Sequence, residues 1–298
     1  MNAVNVKKQT WREKAGHIAG RTGVYVGLLL FAVWMMAPFL IIIIVSFEPD
    51  LQFAREGFQW WPDWSVEGYM MIFDPENEFI TLLASVFFNS LWQTLIPTVG
   101  GLFVSGMAAY AYAKWEFPGK NKFFSLCLVL MAVPLNAGLT SYLFYNAIGW
   151  TKGGAAVLPI VIPGLFGSMG TIFLIYPYIK AVPDGIVEAA RIDGMGFISI
   201  YWKIIIPLSS PVFVAQFLFG FIGGYNSYGS ALMYLLGNEN LWTMQLALSQ
   251  LVDGLSESGA WLNVKCAAAI FSMLPLIVLF CFSQRYFIEN VSAGGVKE

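Results

Sequence analysis

The sequence predicts an all-α, polytopic membrane protein with six transmembrane helices and both termini in the cytoplasm. The first observation is composition: 58% of the 298 residues are hydrophobic and 11% are charged, whereas soluble domains carry about 25% charged residues. The second is a set of apolar runs long enough to cross about 30 Å of hydrocarbon. The third is an uneven distribution of Lys and Arg between the loops, which sets the orientation of such proteins.

Six apolar runs define the predicted spans, and the second run is longer than crossing requires, so it should tilt or project from the bilayer. The spans cover residues 23–47, 80–113, 123–148, 155–179, 208–235 and 262–286. The predicted organisation is a cytoplasmic N-terminal segment (1–22), a transmembrane domain (23–287) and a cytoplasmic tail (288–298). Within the domain, a cytoplasmic loop at about 180–207 separates the fourth span from the fifth.

The basic residues orient these spans. Thirteen of the 16 Lys and Arg lie in the N-terminal segment, the loops after the second and fourth spans, and the tail region. Cytoplasmic loops carry such an excess, so both termini and the loop at 182–207 are expected in the cytoplasm. The stretch 48–78 on the other side holds eight carboxylates and three tryptophans. These tryptophans form either an interfacial belt or a contact with an outer partner.

The sequence offers no sign of a catalytic, metal or nucleotide site. Its three cysteines lie in apolar runs without metal-ligand spacing, and its one histidine, His17, lies in the N-terminal segment. A G-x4-GK[ST] loop is absent from the sequence, which excludes ATP binding by that route. We therefore expect no zinc chemistry of the HExxH kind and no ATP binding through a phosphate-cradling loop in this chain.

Uncharged polar residues recur inside the spans, whereas charges are scarce there. Ion-coupled pumps usually need intramembrane Asp, Glu or His, so ion coupling is disfavoured. Amides and aromatic rings suit hydroxyl-rich solutes, although they serve equally as hydrogen-bonding groups between helices. The candidates for lining a translocation path are Asn89, Gln93, Asn136, Tyr142, Tyr145, Gln216 and Asn226. Irregular Pro- and Gly-rich backbone in the fourth and fifth spans favours the same path, although Gly220-x3-Gly224 also permits plain close packing.

The loop "VPDGIVEAARIDGMGFISIYWKIIIP" at 182–207 predicts two short helices. Asp184 is suited to an N-cap and Gly194 to a helix stop. Ala189 and Ala190 between them are small and permit close approach by another surface. A second helix is expected over 197–203, and Pro207 then begins the fifth span.

The same loop resembles the cytoplasmic EAA signature of bacterial ABC importer permeases. Glu188-Ala189-Ala190 is followed after three residues by Gly194, and nine residues later by Ile204-Ile205-Ile206-Pro207. Ile206 stands where leucine is usual. The chain also resembles the smaller membrane subunit of the maltose-type importers in "FFNSLWQT", "AYAYAKWEFPGK" and "QRYFIENVSAGGVKE". In that group an aromatic-Asn pair usually begins with Trp. Tyr225 stands at that place here, which leaves the identity of the saccharide open.

This resemblance implies a type I ABC importer permease for a saccharide, a multi-pass protein of the bacterial cytoplasmic (inner) membrane. It implies a transport subunit rather than an enzyme, with no cofactor of its own and no nucleic-acid partner. The implied partners are a homologous second permease subunit, an extracytoplasmic solute-binding protein, and two copies of a cytoplasmic ATPase that holds ATP and Mg. The residues implied for contact with the ATPase are Asp184, Glu188, Ala189, Ala190, Asp193 and Gly194. The outer loop 237–259, with Asn238 and Ser256, is expected to touch the binding protein, and the tail 290–298 to enter the ATPase dimer.

Other functions remain open at this point. Within the importer class, an acidic saccharide or a glycerol phosphodiester is an alternative to a neutral sugar, although the spans show no Arg cluster for an anion. A stand-alone carrier is a less favoured alternative because intramembrane charges are scarce. A membrane-embedded enzyme acting on lipid-linked sugar is also less favoured because it would need acids or His clustered at the membrane face.

Overall fold

The computed structural model describes residues 11–49, 52–73, 78–132, 138–254 and 261–294. Every regular element within these residues is helical. The contacts divide the chain into two units, Met1–Met70 with Gly259–Ile270, and Met71–Ser258 with Phe271–Glu298. The all-α prediction is therefore confirmed.

The first unit is built on the long helix α1 (Trp11–Ser46), the short helices α2 (Gln52–Glu56) and α3 (Glu67–Phe73), and the start of α15 (Leu262–Gly294). The Ser46 hydroxyl at the end of α1 lies 2.9 Å from the Tyr69 hydroxyl of α3. Asn263 Nδ2 at the start of α15 donates to the Glu48 carbonyl oxygen over 3.1 Å. Polar side chains thus join the helix ends of this unit.

The second unit holds the end of α3, α15 from Phe271 onward, and the remaining helices. In chain order they are α4 (Glu78–Lys114), α5 (Lys120–Ala132), α6 (Gly138–Ala147), a 3₁₀ turn (Gly153–Val157), α7 (Leu158–Leu165), α8 (Met169–Ala181), α9 (Asp184–Ile192), α10 (Phe197–Ile200), a π-helical turn (Tyr201–Ile205), α11 (Ile206–Leu208), α12 (Ser210–Tyr225), α13 (Tyr228–Leu235), a 3₁₀ turn (Glu239–Leu241) and α14 (Met244–Gly254).

Helix α4 is the centre of the second unit, and α7, α8 and α12 pack against it. Gly101 of α4 faces Gly164 of α7 so closely that a Cβ at Gly101 would collide with the Gly164 carbonyl oxygen. About two turns further along α4, Ala109 and Tyr110 share a buried core with Ile175 of α8 and Phe213 of α12. Helix α4 thus holds together the helices that surround the cavity described below.

The described residues contain four helical segments long and apolar enough to span a membrane. They are Arg21–Ser46, Leu83–Lys114, Gly153–Ala181 and Leu262–Gln284. A fifth is obtained if Phe197–Leu208 and Ser210–Tyr225, which meet at an 87° bend, count as one span. The predicted span at 123–148 includes 133–137, which lie outside the described residues. The count of six and the location of the termini remain predictions.

Three predicted elements differ from the structure. The fourth span is broken at Gly167, whose φ of +77° is a left-handed conformation that favours glycine, and α8 restarts with Ser168 Oγ accepting from Thr171 N. The predicted fifth span, 208–235, is not one straight helix, because the helix from Phe197 runs on through Leu208 and meets α12 at an 87° bend. The expected tail is helical as far as Gly294, since α15 continues to that residue.

Candidate functional site

A cavity of about 360 Å³ lies between α4, α7, α8, α12 and α13. Its wall is made of amide, hydroxyl and small apolar side chains. The lining residues are Gln93, Thr94, Pro97, Thr98, Gly101, Leu102, Pro159, Ile160, Gly164, Gly167, Ser168, Thr171, Gln216, Gly220, Gly224, Ser227, Ser230, Ala231 and Thr243. These lining residues include no ionisable side chain, so the cavity can hydrogen-bond a solute but gives a charged one no counter-ion.

Small residues bring α12 close to α4 at this cavity. A Cβ at Gly224 would lie 3.0 Å from Thr94 Cγ2, and one at Gly220 would lie 3.1 Å from Thr98 Cγ2. Close packing and path lining were alternative interpretations of Gly220-x3-Gly224. The structure shows close packing at both glycines, and both also line the cavity.

The Asn89-Ser90-x-x-Gln93 stretch of α4 binds the segment 240–244 through side chains. Asn89 Nδ2 donates to the Asn240 carbonyl over 2.7 Å, and Gln93 Nε2 donates to the Leu241 carbonyl over 2.9 Å. Ser90 Oγ accepts from the Met244 backbone amide over 2.6 Å. Of the two predicted path residues here, Gln93 lines the cavity, whereas Asn89 is directed to this segment.

The other predicted path residues are divided between the cavity and its surroundings. Gln216 lines the cavity. Asn226 lies at the break between α12 and α13, where its Oδ1 accepts from Gln245 Nε2. Tyr142 lines a second cavity of about 290 Å³, and Tyr145 stacks on Trp150 with ring centroids 5.7 Å apart. Asn136 lies outside the described residues.

The predicted contact site for an ATPase is helix α9, which we call the coupling helix. Val187 and Ala190 on one face are buried in the core formed by α4, α8 and α12. Glu188 and Ala189 are exposed, and Ile192 at the end of the helix is 87% exposed. The structure therefore leaves Ala189 free to meet a partner, but it buries Ala190, predicted for the same role, against this chain's own helices.

Asp184 does not serve as the N-cap that the sequence predicted. The cap position is Pro183, which makes no side-chain capping bond, and Asp184 is the first residue of the helix. Its Oδ1 accepts from Lys114 Nζ over 2.7 Å. The hydrogen bond from Lys114, together with the lysine's positive charge, lowers the pKa of Asp184.

Gly194 ends the coupling helix as predicted. Its φ is +80°, its amide donates to the Arg191 carbonyl over 3.0 Å, and the Met195 amide donates to the Ala190 carbonyl over 3.0 Å. These two bonds form a Schellman motif. Asp193 is the exposed residue that precedes this glycine.

The predicted binding-protein loop at 237–259 is largely folded onto α4 and α13. Met244, Leu246 and Ala247 of α14 are buried. Asn238 Nδ2 donates to the Gly153 carbonyl over 3.0 Å, which ties this loop to the start of the α7 region. Ser256, the other predicted contact, lies outside the described residues.

Sequence reasoning missed the hydroxyl groups of the cavity. Thr94 and Thr98 stand four residues apart on α4, the spacing that places two side chains on one helical face. In the sequence, the Thr94–Thr98 spacing next to Gln93 was the available signal for these two hydroxyl groups. The remaining hydroxyl residues come from Ser168, Thr171, Ser227, Ser230 and Thr243, which only folding brings together. Within the described part of the chain, no three His, Cys, Asp or Glu residues group as a metal site would require.

Comparison with known proteins places this chain among transport components. The family model described as "Binding-protein-dependent transport system inner membrane component" matches residues 101–292. The arabinooligosaccharides transport system permease protein of Halalkalibacterium halodurans is 28% identical over 285 residues, covering 91% of this chain and 95% of that protein. The osmoprotective compounds uptake permease protein of Synechocystis sp. is 30% identical over 309 residues, covering 99% and 96%.

A solved structure shares the fold. The crystal structure of a bacterial ABC transporter involved in the import of the acidic polysaccharide alginate includes a chain that matches this one with a TM-score of 0.78. The match covers 95% of this chain and all of that one at 22% sequence identity. At this identity the likeness shows the fold and carries no assignment of solute.

Proposed function

Because the chain belongs to the family of binding-protein-dependent transport system inner membrane components, we propose that it forms one side of the path by which a neutral saccharide is imported. The protein is a multi-pass subunit of the inner membrane and a transport component rather than an enzyme. The proposal adds the class of solute, the place in this chain where the solute passes, and the partners that power transport.

The observation that carries the proposal is the uncharged polar wall of the first cavity. Two glutamine amides and seven hydroxyl residues line it, without a Lys, Arg, Asp or Glu. A buried sugar hydroxyl needs a hydrogen-bonding partner to offset its loss of water, and an ionised carboxylate or phosphate needs an opposite charge in addition. This wall supplies the first requirement and not the second, so a neutral saccharide is favoured over an acidic one or a glycerol phosphodiester.

The coupling helix supports the proposed ATPase partner. Its inner face is buried with α4, α8 and α12. A displacement of the coupling helix is therefore transmitted to the helices that line the cavity. The outer face of the coupling helix presents Ala189 and the exposed Ile192, which suit a complementary apolar groove. The sequence has no phosphate-binding loop of its own, so ATP and Mg are assigned to two copies of a partner ATPase.

The family description itself implies delivery of the solute by a binding protein. A cavity of about 360 Å³ within one subunit needs a second surface to complete a closed path. We assign that surface to a homologous second permease subunit. Transport then alternates the access of the shared path between the two sides of the membrane as the ATPases close and open.

The test is uptake by the native complex, isolated through an affinity tag on this chain and reconstituted into vesicles with its binding protein outside and ATP inside. The probes are arabinotriose and maltotriose as neutral saccharides and trigalacturonate as an acidic one. We expect ATP-dependent accumulation of at least one neutral probe and none of trigalacturonate. The matched control replaces ATP by a non-hydrolysable analogue, which should abolish accumulation.

Two outcomes contradict the proposal. Accumulation of trigalacturonate without either neutral probe would assign the path to acidic saccharides. Accumulation that persists without ATP and without a co-purified ATPase would identify a stand-alone carrier instead.

A further inference from the structure

The nitrogen and the oxygen of the Gln93 side-chain amide differ in their hydrogen bonding. Its side chain is 2% exposed, and its Nε2 donates to the Leu241 carbonyl. Since a carbonyl oxygen can only accept, the nitrogen must be the atom that faces Leu241. The Oε1 atom is buried without a hydrogen-bond partner, on a residue that lines the cavity.

Thr243 presents a second unpartnered polar atom at the same cavity. Its Oγ1 is buried and makes no hydrogen bond, and the residue belongs to the cavity lining. It lies between Trp242, whose carbonyl accepts from Asn89 Nδ2, and Met244, whose amide donates to Ser90 Oγ, so its position relative to α4 is fixed from both sides. Buried polar atoms in folded proteins nearly always have partners. These two have none among the described residues, and both belong to residues that line the same cavity.

We propose that Gln93 Oε1 and Thr243 Oγ1 form a subsite for the hydroxyl groups of the transported solute. Gln93 Oε1 accepts from a solute hydroxyl, and Thr243 Oγ1 either donates to a solute oxygen or accepts from a second hydroxyl. This inference rests on the proposed function and deepens it, because it makes this subunit, rather than its partner alone, a determinant of specificity. A solute lacking hydroxyl donors leaves Gln93 Oε1 unpartnered and is rejected.

The test measures occupancy of the cavity directly in the native complex, through protection of a reporter thiol. Cys127, Cys266 and Cys281 are free cysteines and are first replaced by alanine. Ser230, another lining residue, is then replaced by cysteine and treated with methyl methanethiosulfonate, a small neutral thiol reagent. Arabinotriose and maltotriose should slow modification of this thiol in a saturable way, whereas trigalacturonate should not.

The variants separate the subsite from general packing. In the reporter background, Thr243→Val removes the hydroxyl at nearly constant volume and leaves the Gln93–Leu241 bond in place. It should raise the sugar concentration for half-protection about tenfold, the size expected for one lost hydrogen bond. Thr243→Ser keeps a hydroxyl and should restore protection. Gln93→Leu should weaken protection to a similar or larger extent.

The control is Thr151→Val, because the Thr151 hydroxyl already donates to Asn146 Oδ1 over 2.7 Å. The sugar concentration for half-protection should not change in this variant. The subsite is overturned if neither neutral saccharide protects the thiol, or if Thr243→Val and Gln93→Leu are protected like the parent. Uptake in vesicles is measured in parallel. If vesicles take up the saccharide but the variants are protected like the parent, the subsite alone is refuted. If the saccharides protect the thiol but ATP-dependent uptake is absent, the transport function alone is refuted.

Discussion

Lys114 Nζ lies 2.7 Å from Asp184 Oδ1, which joins the last turn of α4 to the first turn of the coupling helix. The lysine side chain is 2% exposed and that of the aspartate 77%. Lys114 also donates to the carbonyl oxygens of Val182 and Lys180. One ammonium group thus ties the loop before the coupling helix to α4. Along α4, Lys114 is about 32 Å from Gln93 at 1.5 Å per residue, so one helix connects the cavity to the proposed ATPase contact.

Asp184→Asn should loosen the coupling helix, because it removes the charge that pairs with Lys114. We expect faster hydrogen exchange at the amides of α9 near pH 7 and less ATP hydrolysed in response to loaded binding protein. The control is Glu116→Gln, which removes the Glu116–Lys120 ion pair just beyond the end of α4 and should change neither.

The pH dependence of this effect follows from the lowered pKa of Asp184. An acid whose folded pKa is depressed contributes stability above its unfolded pKa, here 3.8, and loses it as the pH falls through the folded pKa. Hydrogen exchange of the wild type and of Asp184→Asn should therefore converge below pH 3.8. A difference that persisted unchanged in acid would show that the ion pair is not its cause.

Ala189 and Ala190 are adjacent but should respond oppositely to enlargement. Ala189→Trp adds a side chain on the exposed face, so the isolated subunit should keep its melting temperature while the ATPase no longer co-purifies. Ala190→Trp forces the ring into the buried core, where overpacking costs about 1–3 kcal/mol or more, and should lower the melting temperature. Normal ATPase co-purification with Ala189→Trp would exclude this helix as the docking site.

Gly106→Ala should destabilise the second unit. An added Cβ would lie 2.6 Å from Phe213 Cε1 and 2.8 Å from Cζ, and closer still to Tyr201 Oη. Overpacking of this kind costs about 1–3 kcal/mol, measured as a lower melting temperature in detergent. Gly223→Ala is the matched control, since its Cβ would have no neighbour within 4 Å and alanine is the better helix former.

Glu48→Gln should stabilise the first unit at neutral and alkaline pH. Both carboxylate oxygens of Glu48 are buried without hydrogen-bond partners, and burial raises the pKa of Glu48 above 4.5. The folded state therefore holds this proton more tightly than the unfolded state, so wild-type stability falls as the pH rises from 4.5 through the raised pKa. Glutamine keeps the shape of the side chain without its charge. The melting temperature of Glu48→Gln should therefore decline less over that pH range than the wild type's. An identical decline in both proteins would contradict this assignment.

The sequence alone determined the class of the protein, most of its spans and the place of the coupling helix. Hydropathy identifies spans because a bilayer of fixed thickness demands long apolar helices, and this requirement is local to each segment. The coupling helix was also readable, because the spacing from Glu188 to Gly194 lies within one short segment. The stop at Gly194 was predicted correctly, since a left-handed residue at a helix end is a local requirement.

Only the tertiary structure decided which polar groups share the cavity and which are directed to the chain itself. Asn89 and Gln93 look equivalent on α4, four residues apart, yet one binds the segment 240–244 and the other also lines the cavity. Asp184 appeared to be a cap until folding placed Lys114, 70 residues earlier in the chain, beside it. Ala190 is buried and Ala189 is exposed because packing against α4, α8 and α12 fixes the rotation of the coupling helix. Such contacts depend on distant segments, and no local pattern encodes them.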